Sequence, residues 1–197
     1  MTIQMNTTSS SSQLQKPQTL NGLDPAGIAA AVAEVSASAE AAQVAFRART
    51  TWLGSFRSRT DIDSYDMGGK RIPRVHRIDA DEPLELLGAN EAPNPQDLIL
   101  AALNACMTVG FVVGATSAGL RIDSLEIESE CPLDLRGVFG LDPAIKPGAE
   151  KIRYTIRVKG SGTREQFEEV HRAMQATSPN RFHLTSPIPL ESSLIVD

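Results

Sequence analysis

Cysteine, histidine and recognisable catalytic motifs are scarce in this chain of 197 residues. Its two cysteines, Cys106 and Cys131, are too few for a disulfide framework or a four-cysteine zinc site. Its three histidines, His76, His171 and His183, leave little room for a metal cage, so we expect neither a metal nor another cofactor. No G-x-S-x-G elbow, Gly-rich phosphate loop or paired-histidine zinc motif occurs, which argues against these enzyme classes.

An excess of basic residues is also missing. Lys and Arg number 19 against 24 Asp and Glu, a net charge of −5, which disfavours nucleic acid or an anionic membrane as the main partner. The first residues have neither the basic start nor the apolar run of a secretory signal. We therefore expect a cytoplasmic protein, in which a cysteine is free to act as a thiol.

The composition divides the chain into three parts. Residues 1–21 are Ser/Thr-rich and carry too little apolar area to offset the entropy of ordering, which predicts a disordered tail. An N-terminal helical extension follows over residues 22–45, with Asp24 as N-cap and Pro25 in the first turn. Residues 46–197 make up the main domain.

The first part of that domain has the pattern of an antiparallel meander. Apolar and polar residues alternate over 46–52, and return strands are predicted over 56–65 and 71–78. Gly68-Gly69 is typical of a hairpin turn, and Pro73 places the third strand at a sheet edge.

A long apolar helix is predicted next. It begins at Asn94-Pro95 and ends at Gly119, and a helix that is apolar all round is either buried on every side or spans a membrane. We favour burial, because the apolar stretch, residues 98–115, barely reaches the ~20 residues of a span and carries Asn104 near its middle. Gly110 and Gly114 would let another backbone approach closely.

Further strands and a helix complete the pattern. Alternation predicts half-buried strands ending at Cys131 and spanning residues 152–158. A capping box at Thr163 opens a helix that ends near Ser178-Pro179, and a short peripheral strand is predicted between Pro187 and Pro189. His171 is interpreted as a residue of that helix's packed face.

Cys106 is the first candidate for chemistry. A reactive cysteine needs a nearby cation or dipole, and residues 98–115 contain no basic residue. The available cations are arginines of the first hairpin, namely Arg47, Arg49, Arg57 and Arg59. Burial as an inert core residue is the alternative for Cys106, and also the interpretation we favour for Cys131.

From about residue 46 onward the sequence resembles the OsmC/Ohr family, the osmotically inducible and organic hydroperoxide resistance proteins. Residues 91–98 (EAPNPQDL) and 101–106 (AALNAC) are similar to the family's N-P-x-E-L-L-x-A-x-x-x-A-C helix. Residues 133–137 and 140–142 resemble a loop of one subgroup, and Ser178-Pro179 stands where peroxidase members carry Cys-Pro.

The resemblance implies an α+β fold in which antiparallel sheets wrap around buried central helices in an intertwined homodimer. It also implies reduction of organic hydroperoxides by a thiolate, which becomes a sulfenic acid, forms a disulfide with a second cysteine and is restored by a dithiol reductant.

Carried over residue by residue, Cys106 matches the peroxide-attacking cysteine. Gln96 or Asp97 occupies the position of the acid that orients an arginine, and that arginine most resembles Arg57. The resolving position holds Ser178, which cannot form a disulfide. An external thiol then resolves Cys106, or Cys131 does so, or the protein is instead a non-catalytic member that binds a small apolar ligand in the dimer cleft.

Overall fold

A computed structural model describes residues 19–196 and shows two antiparallel sheets with five α-helices. Helix α1 precedes a four-stranded sheet in which β3 lies between β4 on one side and β1 and β2 on the other. These elements are α1 (Pro25–Ala37), β1 (Val44–Phe46), β2 (Arg49–Gly54), β3 (Arg57–Met67) and β4 (Lys70–Ala80).

The predicted meander is confirmed, except that its first strand, predicted over 46–52, is interrupted at residues 47–48 and divided between β1 and β2. Gly68 and Gly69 have φ of 55° and 71°, the left-handed conformation that a tight hairpin turn requires. Pro73 lies in β4, opposite Ser64 of β3. In the described part of the chain β4 pairs only with β3, so it is an edge strand. Proline is accepted there because an edge strand has one row of unpaired backbone groups.

The second half of the chain forms the core around α2. Helix α2 packs against α4, α5 and β5, and β5 pairs with β6. The elements are α2 (Pro95–Ser117), β5 (Ile122–Glu130), α3 (Leu135–Val138), β6 (Arg153–Gly160), α4 (Arg164–Thr177) and α5 (Pro179–Thr185). The buried hydrophobic residues are Leu103, Met107, Phe111, Ala115, Leu120, Val170 and Met174.

The α2 glycines allow α4 to lie close. A Cβ at Gly110 would stand 3.0 Å from Met174 Cγ, and one at Gly114 would stand 3.2 Å from Val170 Cγ1. Both distances are shorter than ordinary van der Waals contact, so a side chain at either position would push α4 away. The predicted close approach is thus made by α4 of the same chain.

Among residues 19–196 of the single chain, helix α2 is covered on one side only. Among the described residues it is the one helix long and apolar enough to cross a membrane. Its contacts are nevertheless those of a core helix, since Asn104 Nδ2 donates to Ser129 Oγ at 3.0 Å and to Ile127 O at 3.4 Å. Its opposite side is open, with Val109 64% exposed.

Two expectations about the chain ends need comment. The predicted final strand between Pro187 and Pro189 is wrong: residues 187–196 form no strand, because no neighbouring strand pairs with them in the described chain. The predicted tail over residues 1–21 lies outside the described residues up to residue 18. Its last residue, Asn21, belongs to the folded body, because its side chain donates to Leu120 O and accepts the Ile122 N–H.

Candidate functional site

Cys106 and Ser178 lie side by side although 72 residues separate them. Cys106 Sγ is 3.3 Å from Ser178 Oγ, and either atom has a proton to donate. Cys106 is half-buried on α2, whereas Ser178 is only 6% exposed. The structure therefore brings together the two positions that correspond to the attacking and resolving cysteines of the family pattern, and their chemical roles stay predictions.

A helix break holds Ser178 in this place. The residue before a proline is pushed out of the helical region, and Ser178 is extended, with ψ of 113°. Its N–H donates to Met174 O at the end of α4, and its hydroxyl accepts the N–H of Arg181 in the first turn of α5. Asn180 Nδ2 then donates to Ala102 O at 2.8 Å, which ties α5 to α2 one turn before Cys106.

Arg181 is a neighbour of the pair that the sequence analysis missed. Its backbone N–H is 3.3 Å from Ser178 Oγ, and its guanidinium donates to Gln175 O at 3.1 Å. The signal was present in the sequence, because a serine before Pro179 is a helix N-cap and the amide three residues later is its usual partner.

The three other predicted site residues have hydrogen-bond or ion-pair partners other than Cys106 in the described part of the chain. Asp97 caps α2, its carboxylate accepting the Asn94 N–H at 3.0 Å. It lies nine residues before Cys106, or about 13 Å along the helix. Arg57 pairs with Glu91 at 3.3 Å, and the catalytic roles given to Arg57, Gln96 and Asp97 stay predictions.

Cys131 lies beside the first turn of α2, whereas Cys106 lies further along the helix. Cys131 Sγ faces Gln96 Oε1 at 4.0 Å, in the first turn of α2. Ten residues of helix, about 15 Å, separate Gln96 from Cys106, whereas a disulfide requires Cα atoms within about 7 Å. This placement disfavours a direct disulfide between Cys131 and Cys106 of one chain, and the role of Cys131 stays a prediction.

Asp81 organises the loop that leads into α2 and was not singled out from the sequence. Its side chain is 1% exposed and accepts the N–H groups of Glu82, Ala89 and Glu91. These bonds, that from Glu91 foremost, lower the pKa of Asp81 against the opposing effect of desolvation. The same loop presents Glu91 to Arg57, so Asp81 holds the arginine's carboxylate partner in place.

A separate cavity of about 590 Å³ lies between β6 and α4. Its apolar and aromatic lining includes Phe111, Tyr154, Ile156, Val158, Phe167 and His171. The His171 ring meets Tyr154 edge to face, with ring centroids 6.4 Å apart, in keeping with the predicted packing role of this histidine. Among residues 19–196, no three His, Cys, Asp or Glu side chains are grouped so that they could hold a metal ion.

Comparison with known proteins gives a family match over the part of the chain that carries this site. The sequence profile of the family described as OsmC-like protein matches residues 88–193, more than half of the chain. The curated proteins include no significant match.

Solved structures share the fold at low sequence identity. An OsmC-like protein from Mycoplasma pneumoniae is 13% identical with a TM-score of 0.55, covering 71% of this chain and 86% of that one. An OsmC-like protein from Vibrio cholerae is 16% identical with a TM-score of 0.53, covering 72% and 94%. An organic hydroperoxide resistance protein from Elizabethkingia anophelis is 17% identical with a TM-score of 0.49, covering 71% and 89%. The first two confirm the α+β fold predicted from the sequence.

Proposed function

Because the chain belongs to the OsmC-like protein family, we propose that it reduces organic hydroperoxides and that the Cys106 sulfur is the reacting atom. The observation that carries this proposal is the contact of 3.3 Å between Cys106 Sγ and Ser178 Oγ. It sets the half-buried thiol of a core helix against a buried hydroxyl, at the junction where the family's peroxidases carry their second cysteine.

The first step oxidises the cysteine. The Cys106 thiolate attacks the terminal peroxide oxygen, an S–O bond forms and the O–O bond breaks. The sulfur loses two electrons, and the alkoxide that leaves takes up a proton to become the alcohol. Cys106 is then a sulfenic acid.

In this proposal thiols from outside the chain carry out the reduction, because Ser178 has no sulfur and Cys131 faces the first turn of α2 rather than Cys106. One external thiol condenses with the sulfenic acid, releasing water and forming a mixed disulfide with Cys106. A second thiol, or the other arm of a dithiol, attacks that disulfide and restores Cys106. The sum is ROOH + 2 R′SH → ROH + H₂O + R′SSR′. We infer a cytoplasmic site of action, where such thiols are abundant.

We also propose that the protein acts as a homodimer. The support is the open side of α2, where Ala102, Ala105 and Val109 are exposed at spacings of three and four residues. A second copy packed on this stripe would complete the burial that the apolar composition of the helix predicts.

Turnover of tert-butyl hydroperoxide with dithiothreitol tests the proposed reaction. Cys106→Ser should lose all turnover above background, whereas Cys131→Ser, the matched control, should retain it because dithiothreitol supplies the resolving thiol. Without thiol, the parent should consume one equivalent of peroxide per chain and then be labelled by dimedone, a sulfenic acid reagent. Equal activity of parent and Cys106→Ser would refute the proposal.

A second candidate function is binding of a small apolar molecule without catalysis. The cavity between β6 and α4 favours it, since its volume and aromatic lining are typical of ligand pockets. Two results together would favour this function. The parent protein would leave the peroxide intact, and it would enhance the fluorescence of an apolar dye. Phe167→Trp should abolish that enhancement. Filling the cavity in this way leaves Cys106 untouched.

A further inference from the structure

We propose that the Ser178 hydroxyl donates its proton to the Cys106 sulfur and thereby stabilises the thiolate. Ser178 would then be a catalytic residue, rather than an inert replacement for a resolving cysteine. This inference rests on the proposed function, in which the thiolate of Cys106 is the attacking group.

The hydrogen-bond partners of Ser178 determine the direction of this bond. Its hydroxyl oxygen already accepts the Arg181 N–H at 3.3 Å. Within residues 19–196, the one acceptor in reach of the hydroxyl proton is Cys106 Sγ. Because Ser178 is only 6% exposed, a proton pointed elsewhere would be left without a partner, which is costly for a buried donor.

The surroundings also hold the hydroxyl still. The Ser178 N–H bonds to the end of α4, and the Ser178 side chain caps the start of α5. These two contacts restrict the rotation of the Ser178 side chain. Asn180 fastens α5 to α2 near Cys106. The donor is therefore in place before any peroxide arrives, as preorganised stabilisation of a developing charge requires.

Loss of such a donor should change the rate of Cys106 alkylation in opposite directions at low and high pH. A hydrogen bond to a charged group changes the thiolate fraction about tenfold at a pH where the thiol is mostly protonated. The unstabilised thiolate is in turn a better nucleophile, roughly threefold for this change in basicity. Alkylation of the variant should thus be about threefold slower at the acidic end of the profile and about threefold faster at an alkaline plateau.

The experiment measures iodoacetamide alkylation of Cys106 from pH 6 to 10 in a Cys131→Ser background, leaving a single thiol. Ser178→Ala removes both the hydroxyl and the helix cap, whereas Ser178→Gly removes the hydroxyl but keeps most of the capping stability. Thr177→Ala, which removes an exposed neighbouring hydroxyl, is the matched control. Thermal melts report any loss of folding, and thiolate absorbance in the ultraviolet gives a second measurement that needs no reaction.

Both Ser178 variants should show the same crossover, with Thr177→Ala behaving like the parent. A crossover seen in Ser178→Ala but absent in Ser178→Gly would assign the effect to loss of the helix cap and overturn the proposal. Unchanged rates in both variants would overturn it as well. A crossover in a protein that fails to reduce peroxide would refute the proposed function but not the hydrogen bond, so the two failures are distinguishable.

Discussion

Substitution of Ser178 by cysteine should create a disulfide with Cys106, because the side-chain atoms already lie 3.3 Å apart. The longer bonds of sulfur shorten the gap further, and only a small rotation is then needed to reach a bond length of about 2 Å. The bond would close a loop across a sequence separation of 72 residues. In the chain-entropy model this separation corresponds to about 4 kcal/mol of stabilisation, with about 2–4 kcal/mol expected once native strain is included.

For a chain of this size, that range raises Tm by roughly 5–15 °C. The assay uses Ser178→Cys in the Cys131→Ser background, treated with one equivalent of organic hydroperoxide. Intact mass should show the loss of two hydrogens, and the increase in Tm should vanish when dithiothreitol is added. The net oxidation is balanced by reduction of the peroxide to alcohol and water.

Thr177→Cys is the control for this experiment, since Thr177 is exposed and its hydroxyl bonds back to Ala173 O. It should remain unbridged under the same treatment. If Ser178→Cys stays reduced while both of its thiols react with iodoacetamide, the contact between α2 and the α4–α5 junction is not as described. Bridging in Thr177→Cys to the same extent would show that proximity at residue 178 is not specific.

Three further outcomes are expected. Val109→Arg should convert a dimer to a monomer in sedimentation at micromolar concentration, whereas Val32→Arg on α1 should not; a monomeric parent would contradict the proposed assembly. Asn21→Ala should lower stability by roughly 2 kcal/mol in urea unfolding, because its buried partners lose their hydrogen bonds, and an unchanged midpoint would put residue 21 outside the folded body. Backbone amides that donate to Asp81 hold the pKa of that carboxylate below its usual range. Hydrogen bonds from Arg136 lower the pKa of Asp134 to about 2. The stability that these two ionised carboxylates contribute is present above the unfolded pKa of about 4 and is lost as the pH falls toward about 2. Tm should therefore drop across that interval. The drop should be less steep in Asp81→Asn, which has one such carboxylate fewer.

Local patterns in the sequence predicted the elements that depend on neighbouring residues. Asn94-Pro95 and Thr163 begin α2 and α4 because a capping side chain needs only the amides of the next turn. Gly68-Gly69 forms its hairpin because glycine adopts positive φ without a Cβ penalty. The strand predicted between Pro187 and Pro189 failed because a strand also requires a partner, and alternation alone does not supply one.

The sequence by itself therefore determined α1, α2 and α4, the Gly68-Gly69 turn, the apolar character of α2 and, through the family pattern, Cys106 and Ser178 as a candidate pair. Only the tertiary structure decided that their side chains meet, that Cys131 faces Gln96 in the first turn of α2 and that Asp97 is occupied as a cap. The physical reason is the sequence distance between the residues that determine each feature. Caps and turns depend on φ, ψ and hydrogen bonds within a few residues, whereas a contact between residues 106 and 178 depends on how α2, α4 and α5 pack. The Arg181 amide, by contrast, reaches Ser178 through a local N-cap contact, and packing only brings that cap beside Cys106.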